Sequence, residues 1–315
     1  MMTRLEAAAW LQSHDNYCIL THTRPDGDTV GSSAALCLGL RKMGKKAYIL
    51  ENTELSGKLL FLHAGLTKPE AGENDTVICV DTAAADMLLL AGRHLADRVQ
   101  LRIDHHGNDR SFAPNELVEP EMAACAEIIY ELLRELGVEL DEQIGMALYA
   151  GVSTDTGCFR FANTDAHSFQ VAAACMEAGA KIYGFNQNIF DTNSLQKLKV
   201  QSWIVENTRF FRDGKVALCA LPKAVEENAT PDDMDNISGF LRSIEGVEIC
   251  GLLREMDGFT KLSIRAIPGY DAGAICALFG GGGHKGAAGA NMKMTLQEAE
   301  KAVEPALIAA RKDTL

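Results

Sequence analysis

Residues 17–44 read YCILTHTRPDGDTVGSSAALCLGLRKMG, and the reading of this stretch decides the fold. It opens on an apolar run, 17–22, of a length that suits a buried strand. A turn containing Pro25, Asp26 and Gly27 follows. From Thr29 to Met43, Ala34, Ala35, Leu36, Leu38 and Leu40 form a broad apolar helical face, and Gly44 stands where such a helix stops. Strand, polar turn and helix in that order begin an α/β sheet with helical crossovers.

The pattern recurs along the first half. KAYIL (46–50), TVICV (76–80) and VQLRI (99–103) are short and rich in branched or aromatic residues, as strands are. Helices are expected near 122–136, 141–153 and 165–178, with Asp141 capping the second and Thr164 the third. In FDTNSLQKLKVQSWIVEN (190–207), Leu195, Leu198, Ser202 and Val205 recur at helical spacing. Next comes RFFRDGKVALCALP (209–222), two strand-like runs about an Asp-Gly turn. A capped helix near 231–244, strands near 247–256 and 259–267, and a terminal helix near 295–311 complete the chain. The expected fold class is α/β: a mainly parallel-sheet domain over 1–190, a linker helix over 191–206 and a smaller α+β domain over 207–315.

Composition narrows the function. The chain has 315 residues, enough for two cores, and its 43 acidic against 30 basic residues leave a formal charge of −13. That charge repels a long phosphate backbone but leaves room for a small phosphorylated ligand whose site is neutralised locally by cations. Nine cysteines, none in a C-x-x-C pair, suit reduced core positions rather than a disulfide framework or a structural zinc. The amino-terminal residues do not resemble a signal peptide and no long apolar window occurs, so a cytoplasmic protein without a membrane partner is expected.

Ligands of parallel α/β sheets gather beyond the carboxyl ends of the strands, and polar residues collect at those ends here. The first strand runs into His22, Asp26 and Asp28; TVICV ends at Asp81; VQLRI ends at Asp104, His105 and His106; Asp155 follows the helix near Ser153. Each alone has an ordinary explanation. Asp28 could cap the helix beginning at Thr29, Asp81 a helix through AAADMLLL, the histidines could be solvated, and Asp155 could hold a turn with Thr156 and Gly157. Converging from four loops, however, such carboxylates would repel one another unless cations lay among them. A two-metal site satisfies that requirement.

The set H-x-x-P-D-x-D-x-x-G-S (22–32), Asp81, D-H-H-G (104–107) and D-T-G-x-F-R-F (155–161) resembles the DHH phosphoesterase superfamily. GGGGHKGAAGA (280–290) is similar to the signature of the associated DHHA1 domain, and the spacing is nearest to the nanoRNase/pAp-phosphatase branch. The resemblance implies that His22, Asp26 and Asp81 hold one divalent ion, and that Asp28, Asp81, His105 and Asp155 hold another, with Asp81 bridging. Carboxylate and imidazole donors without thiolate suit Mn²⁺, and paired ions can activate a water. His106 is then left to meet the phosphate or protonate the leaving oxygen, and Asp104 to orient a neighbour.

In the second unit, the same resemblance implies that Gly282, Gly283 and His284 contact a substrate phosphate, joined by Arg265, and HKGAAGA is expected to open a helix behind the glycines. The substrates so implied are RNA oligomers of a few nucleotides and 3′-phosphoadenosine 5′-phosphate (pAp), lying between the domains, with long nucleic acid excluded. A homodimer is left open. The competing readings are another small phosphate substrate (pyrophosphate, polyphosphate or a linear dinucleotide) and a non-catalytic nucleotide sensor.

Overall fold

A computed structural model of the chain describes residues 1–107, 111–234 and 236–312. It divides into two compact units, Met1–Thr192 and Asn193–Leu315.

The first unit is built on six strands: β1 Tyr17–Leu20, β2 Ala47–Leu50, β3 Thr67–Lys68, β4 Thr76–Val80, β5 Val99–Asp104 and β6 Asn115–Val118. They pair in the order β3-β2-β1-β4-β5-β6, every pair parallel. Because β1 pairs on one side with β2 and on the other with β4, the strand order reverses beside β1. A crevice opens at such a reversal, beyond the strand ends. Alternate residues of each strand enter different cores. Tyr17, Ile19, Ile78, Val80, Leu101 and Ile103 pack towards the main helices, while Cys18, Leu20, Val77 and Cys79 pack with Leu88, Leu89 and Leu95.

Among the described residues this unit also has the α-helices α1 Arg4–Ser13, α2 Gly27–Lys42, α3 Cys125–Glu135, α4 Glu142–Asp155, α5 Ala166–Glu177 and α6 Ile182–Asn186. Helices α2 and α4 lie backbone against backbone. A Cβ on Gly31 would stand 2.2 Å from the Ala147 carbonyl oxygen and 2.8 Å from the Gly151 N, and one on Gly151 would stand 2.7 Å from Asp28 Oδ1. This approach sets the depth at which α2 carries its acidic first turn beside the last turn of α4.

The second unit contains α7 Leu195–Asn207, β7 Arg209–Phe211, β8 Val216–Leu221, α8 Ile237–Phe240, β9 Ile249–Met256, β10 Phe259–Ala266, α9 Ala272–Ala277, β11 Gly282–Gly283, β12 Ala287–Met292 and α10 Leu296–Ala309. Its sheet runs β11-β12-β10-β9-β8-β7, with β8 and β9 parallel and the other pairs antiparallel. One face packs Leu218, Leu253, Leu262 and Ile264 with residues of α9 and α10. On the other, Ala217, Cys219, Cys250 and Leu252 meet Val200 and Ile204 of α7 and Ile237 of α8.

The α/β class and most elements agree with the sequence reading; four local expectations do not. Asp165, not Thr164, caps α5: its carboxylate accepts from the Ser168 N–H, and Ser168 returns the capping-box bond. In α7 the buried residues are Val200 and Ile204, whereas Leu195, Leu198 and Val205 are exposed. Alternating Leu and Lys offered two apolar stripes, and packing chose the β-branched one. The helix expected near 231–244 is broken into short turns, because Asn236 adopts left-handed backbone at φ +50°. HKGAAGA does not open a helix but turns a hairpin into β12, discussed below.

Gly31→Ala is expected to destabilise the protein by about 1–3 kcal/mol through overpacking. It should also weaken divalent-ion binding by moving Asp28 from Asp155, measurable by thermal denaturation with and without Mn²⁺. An unchanged melting temperature would show that α2 and α4 are not held by this contact.

Candidate metal centre

Every polar residue singled out at the strand ends of the first unit arrives at one place. β1 leads to His22, which bridges to Leu88. Asp26 is the N-cap of α2, its Oδ1 accepting from the Asp28 and Thr29 N–H groups at 3.1 Å. Capping thus falls to Asp26 and leaves Asp28 one residue inside the helix and buried. Asp81 does not cap a helix. It holds left-handed backbone at φ +48° immediately after β4, which turns its carboxylate back over the strand ends. Asp155 is the last residue of α4, and the chain behind it makes a left-handed turn through Gly157, Cys158 and Phe159.

The donor atoms form groups. His22 Nε2 lies 3.9 Å from Asp26 Oδ1 and 3.8 Å from Asp81 Oδ2. His105 Nε2 lies 3.4 Å from Asp155 Oδ2, 3.5 Å from Asp81 Oδ1 and 3.9 Å from Asp28 Oδ2. Three candidate donor groups, His22/Asp26/Asp81, Asp28/His105/Asp155 and Asp81/His105/His106, each place their donor atoms within 4.8 Å of one another; Asp81, expected also beside Asp28 and Asp155, falls in the first and third.

The three imidazoles are oriented by what their Nδ1 atoms meet. His22 Nδ1 is 2.7 Å from the Thr23 carbonyl and His105 Nδ1 is 3.2 Å from the Met122 carbonyl. Facing carbonyl oxygens, those nitrogens carry the hydrogen, and each Nε2 turns a lone pair towards the carboxylates. His106 differs: its Nδ1 donates to Asp104 Oδ1 at 2.8 Å, and its ring is half exposed. Adjacent histidines on one chain thereby take separate positions, one turned into the donor cluster and one to its rim.

Helix α3 supplies a partner that no motif contains. Its N-cap residue, Ala124, has no side chain with which to cap. Asp28 does so from α2, accepting from the Cys125 N–H at 2.6 Å through Oδ2 and from the Ala126 N–H at 2.9 Å through Oδ1. Ser32 Oγ adds a bond at 3.0 Å, and Thr29 Oγ1 donates to Asp81 Oδ2 at 2.5 Å. The other oxygen of Asp81, Oδ1, is buried and accepts no hydrogen bond.

Electrostatics describe the same demand. Burial pushes the Asp28, Asp81 and Asp155 carboxyls above the usual range, and mutual repulsion adds to it: Asp81 acts most on Asp28, Asp26 on Asp81, and Asp28 on Asp155. Among the described residues none of these carboxylates pairs with lysine or arginine. Asp104 behaves oppositely. Its burial also opposes ionisation, but hydrogen bonds from His106 and Arg102 outweigh that and hold it below the ordinary range. The bond to Asp104 in turn raises His106 to about 9. An orphaned buried oxygen, crowded carboxylates and correctly turned imidazoles fit hard divalent cations with oxygen and nitrogen ligands.

In the second unit, His284 N donates to Ala287 O at 2.9 Å and Ala287 N returns to His284 O at 3.2 Å, closing the hairpin between β11 and β12. Gly281 and Gly283 permit this close pairing, since a Cβ at either would fall within 2.6 Å of the β12 backbone. Ala287 also pairs with Arg265 of β10, so His284, Ala287 and Arg265 lie across three adjacent strands. With strands spaced about 4.8 Å apart, a ligand over Ala287 is within reach of both long side chains. The same face carries Ser263, Gly289 and Gly282 in register, a floor nearly bare of side chains.

The DHH family, N-terminal domain, matches residues 16–152, and the DHHA1 domain matches residues 213–309. The chain belongs to the DHH family and is a phosphoesterase of that family. It is 32% identical over 278 residues to the bifunctional oligoribonuclease and PAP phosphatase NrnA of Thermus thermophilus, covering 87% of this chain and 83% of that one. The Bacillus subtilis protein of the same name is 24% identical, with 92% and 93% covered. An exopolyphosphatase-related protein from Bacteroides fragilis has the same fold, with a TM-score of 0.87 at 23% identity over 96% of this chain and 95% of that one. Among the described residues no helix is long and apolar enough to cross a membrane.

Asp81→Asn keeps a residue type tolerant of left-handed backbone while removing the charge. A carboxyl raised by burial stabilises the folded state at low pH and loses that contribution as pH rises through its folded value. Metal-free Asp81→Asn should therefore melt a few degrees above the parent at pH 8, the gap closing towards pH 4, yet have no hydrolytic activity. A variant that melts lower at pH 8 and still turns over would contradict this account of the centre.

Proposed function

We propose that the protein is a Mn²⁺-dependent phosphoesterase hydrolysing very short oligoribonucleotides, such as pApA, and pAp. The observation that carries this is the buried Oδ1 of Asp81, which accepts no hydrogen bond and belongs to a carboxylate grouped with His22 and Asp26 on one side and with His105 and His106 on the other. His22, Asp26 and Asp81 would hold one ion, and Asp28, Asp81, His105 and Asp155 the other. The ions, when bound, supply Lewis acidity and lower the pKa of a water.

His106 faces the phosphate with Nε2, because Asp104 occupies its Nδ1. The same bond favours a second proton at Nε2, available to the leaving oxygen. Asp104 is buried and acts through His106. Arg265, Gly282, Gly283 and His284 grip a further phosphate: the guanidinium offers two parallel donors, and Gly282 has open space where a side chain would stand. Support for a nucleotide substrate comes from the two relatives named as oligoribonucleases and PAP phosphatases, whose similarity runs through both units. The net charge of −13 supports short substrates over long ones. Nine unpaired cysteines, eight of them buried, suit the reducing cytoplasm.

The test is kcat/KM with Mn²⁺ for pAp, pApA, RNAs from two to twelve nucleotides, and pyrophosphate. pAp and the dinucleotide should lead, with at least a tenfold decline by twelve nucleotides; a flat length profile or a preference for pyrophosphate would overturn the substrate assignment. A charge-assisted hydrogen bond is worth about 1.5–3 kcal/mol. Arg265→Ala and His284→Ala should therefore each lower kcat/KM for pAp about 10–100-fold while barely affecting a minimal aryl phosphodiester. Equal losses on both would remove the phosphate grip.

A further inference from the structure

Strand β5 carries a positive charge inside the sheet. Arg102 is 1% exposed, and arginine is rarely so buried without partners that use its charge. Its Nε donates to the Thr82 carbonyl at 3.0 Å and to Asp104 Oδ2 at 3.1 Å, and Nη2 donates to the same carboxylate oxygen. On its other side, Nη1 lies 3.7 Å from Glu116 Oε1, and the guanidinium carbon stands 5.5 Å from the centre of the Phe112 ring. Glu116 Oε1 also accepts from the Phe112 and Ala113 N–H groups, so this side is engaged with the fold.

The other two partners belong to the centre. Thr82 follows Asp81, the residue whose left-handed backbone turns its carboxylate over the strand ends. Asp104 takes Arg102 on Oδ2 and gives Oδ1 to three donors: the N–H groups of His105 and His106, and Nδ1 of His106. A planar guanidinium reaches a carbonyl and a carboxylate at fixed relative angles, which a lysine ammonium does not. His106 is 46% exposed; its ring meets the edge of the His105 ring at 4.6 Å between centroids, and its hydrogen bond to Asp104 fixes Nδ1.

From this geometry we infer that Arg102 is a positioning residue for phosphoester hydrolysis. It clamps Asp104, and through it the His106 imidazole, to the turn that carries Asp81. The inference rests on the phosphoesterase reading above and adds a residue that touches neither ion nor substrate. A plug that merely filled the sheet would affect stability alone. A clamp would govern the chemical step, since a displacement of about 1 Å at a reacting group can cost roughly a hundredfold in rate.

The experiment compares Arg102→Lys, Arg102→Met, Arg102→Met/Asp104→Asn and Arg102→Lys/His106→Ala with the parent and with His106→Ala. It follows kcat and KM on the best substrate of the panel, melting temperature, and the nuclear magnetic resonance signal of the His106 Nδ1 proton without substrate. Arg102→Lys should fold, lose roughly 10–100-fold in kcat with KM changed less than about twofold, and broaden or shift the Nδ1 proton signal. Adding it to His106→Ala should cost little more, because both changes act through one imidazole. Should Arg102→Met fail to fold, the double variant Arg102→Met/Asp104→Asn, which removes both charges of that pair and leaves Glu116 its Phe112 and Ala113 N–H donors, replaces it and should fold with kcat still depressed. Parental kcat in that double variant, an unchanged Nδ1 signal in Arg102→Lys, or losses that multiply with His106→Ala would each overturn the clamp. If the parent hydrolyses nothing in the panel, the functional reading falls, and the Nδ1 signal still decides whether Arg102 positions His106.

Discussion

Repulsion between like charges is the constraint around which the first unit is arranged. Asp26, Asp28, Asp81 and Asp155 belong to three separate stretches of chain and would move apart in water, yet the fold brings them together and buries Asp28 and Asp81. Several features oppose that repulsion. The α3 N-terminus offers two N–H groups to Asp28, Thr29 offers a hydroxyl to Asp81, and the glycine contacts between α2 and α4 deny Asp28 and Asp155 room to separate. Hydrophobic burial on both faces of the parallel sheet supplies the stabilisation, and the centre spends part of it on function.

What was legible in the sequence, and what was not, follows from the range of the forces concerned. Strand composition and helical periodicity are local, so YCILTH, TVICV and a helix from Thr29 to Met43 could be read from the chain alone, within two residues of the elements observed. Which strand end faces which could be inferred from the habits of parallel sheets. The capping of α3 by Asp28 could not, since its partners lie 97 and 98 residues away and Cys125-Ala126 carries no capping signal. Arg102 passed without notice inside VQLRI, because two of the partners that use its charge, Thr82 and Glu116, lie on other parts of the chain. At Asn236 a short polar side chain tolerated left-handed backbone, which propensity summed over a window does not register.

The glycine run shows how one residue pattern can build a different local structure from the one it suggests. Four consecutive glycines suggested close backbone approach, and the closest approach is to another strand: β11 and β12 pair because Gly281 and Gly283 lack side chains. The hairpin still brings His284 into line with Arg265, leaving Ala287 and Gly289 as a low floor between long side chains. Small residues here serve flatness and strand pairing rather than a helix terminus.

The bonds made by Asp28 have a further consequence. Its Oδ1 takes two donors and its Oδ2 takes one, so one lone pair on Oδ2 remains. A carboxylate in that condition cannot chelate with both oxygens. An ion bound there would keep more of its coordination sphere for water and for substrate oxygens than one in a cage of bidentate ligands. Such a centre would release and regain ions readily, which would tie its rate to the free divalent-ion concentration around it.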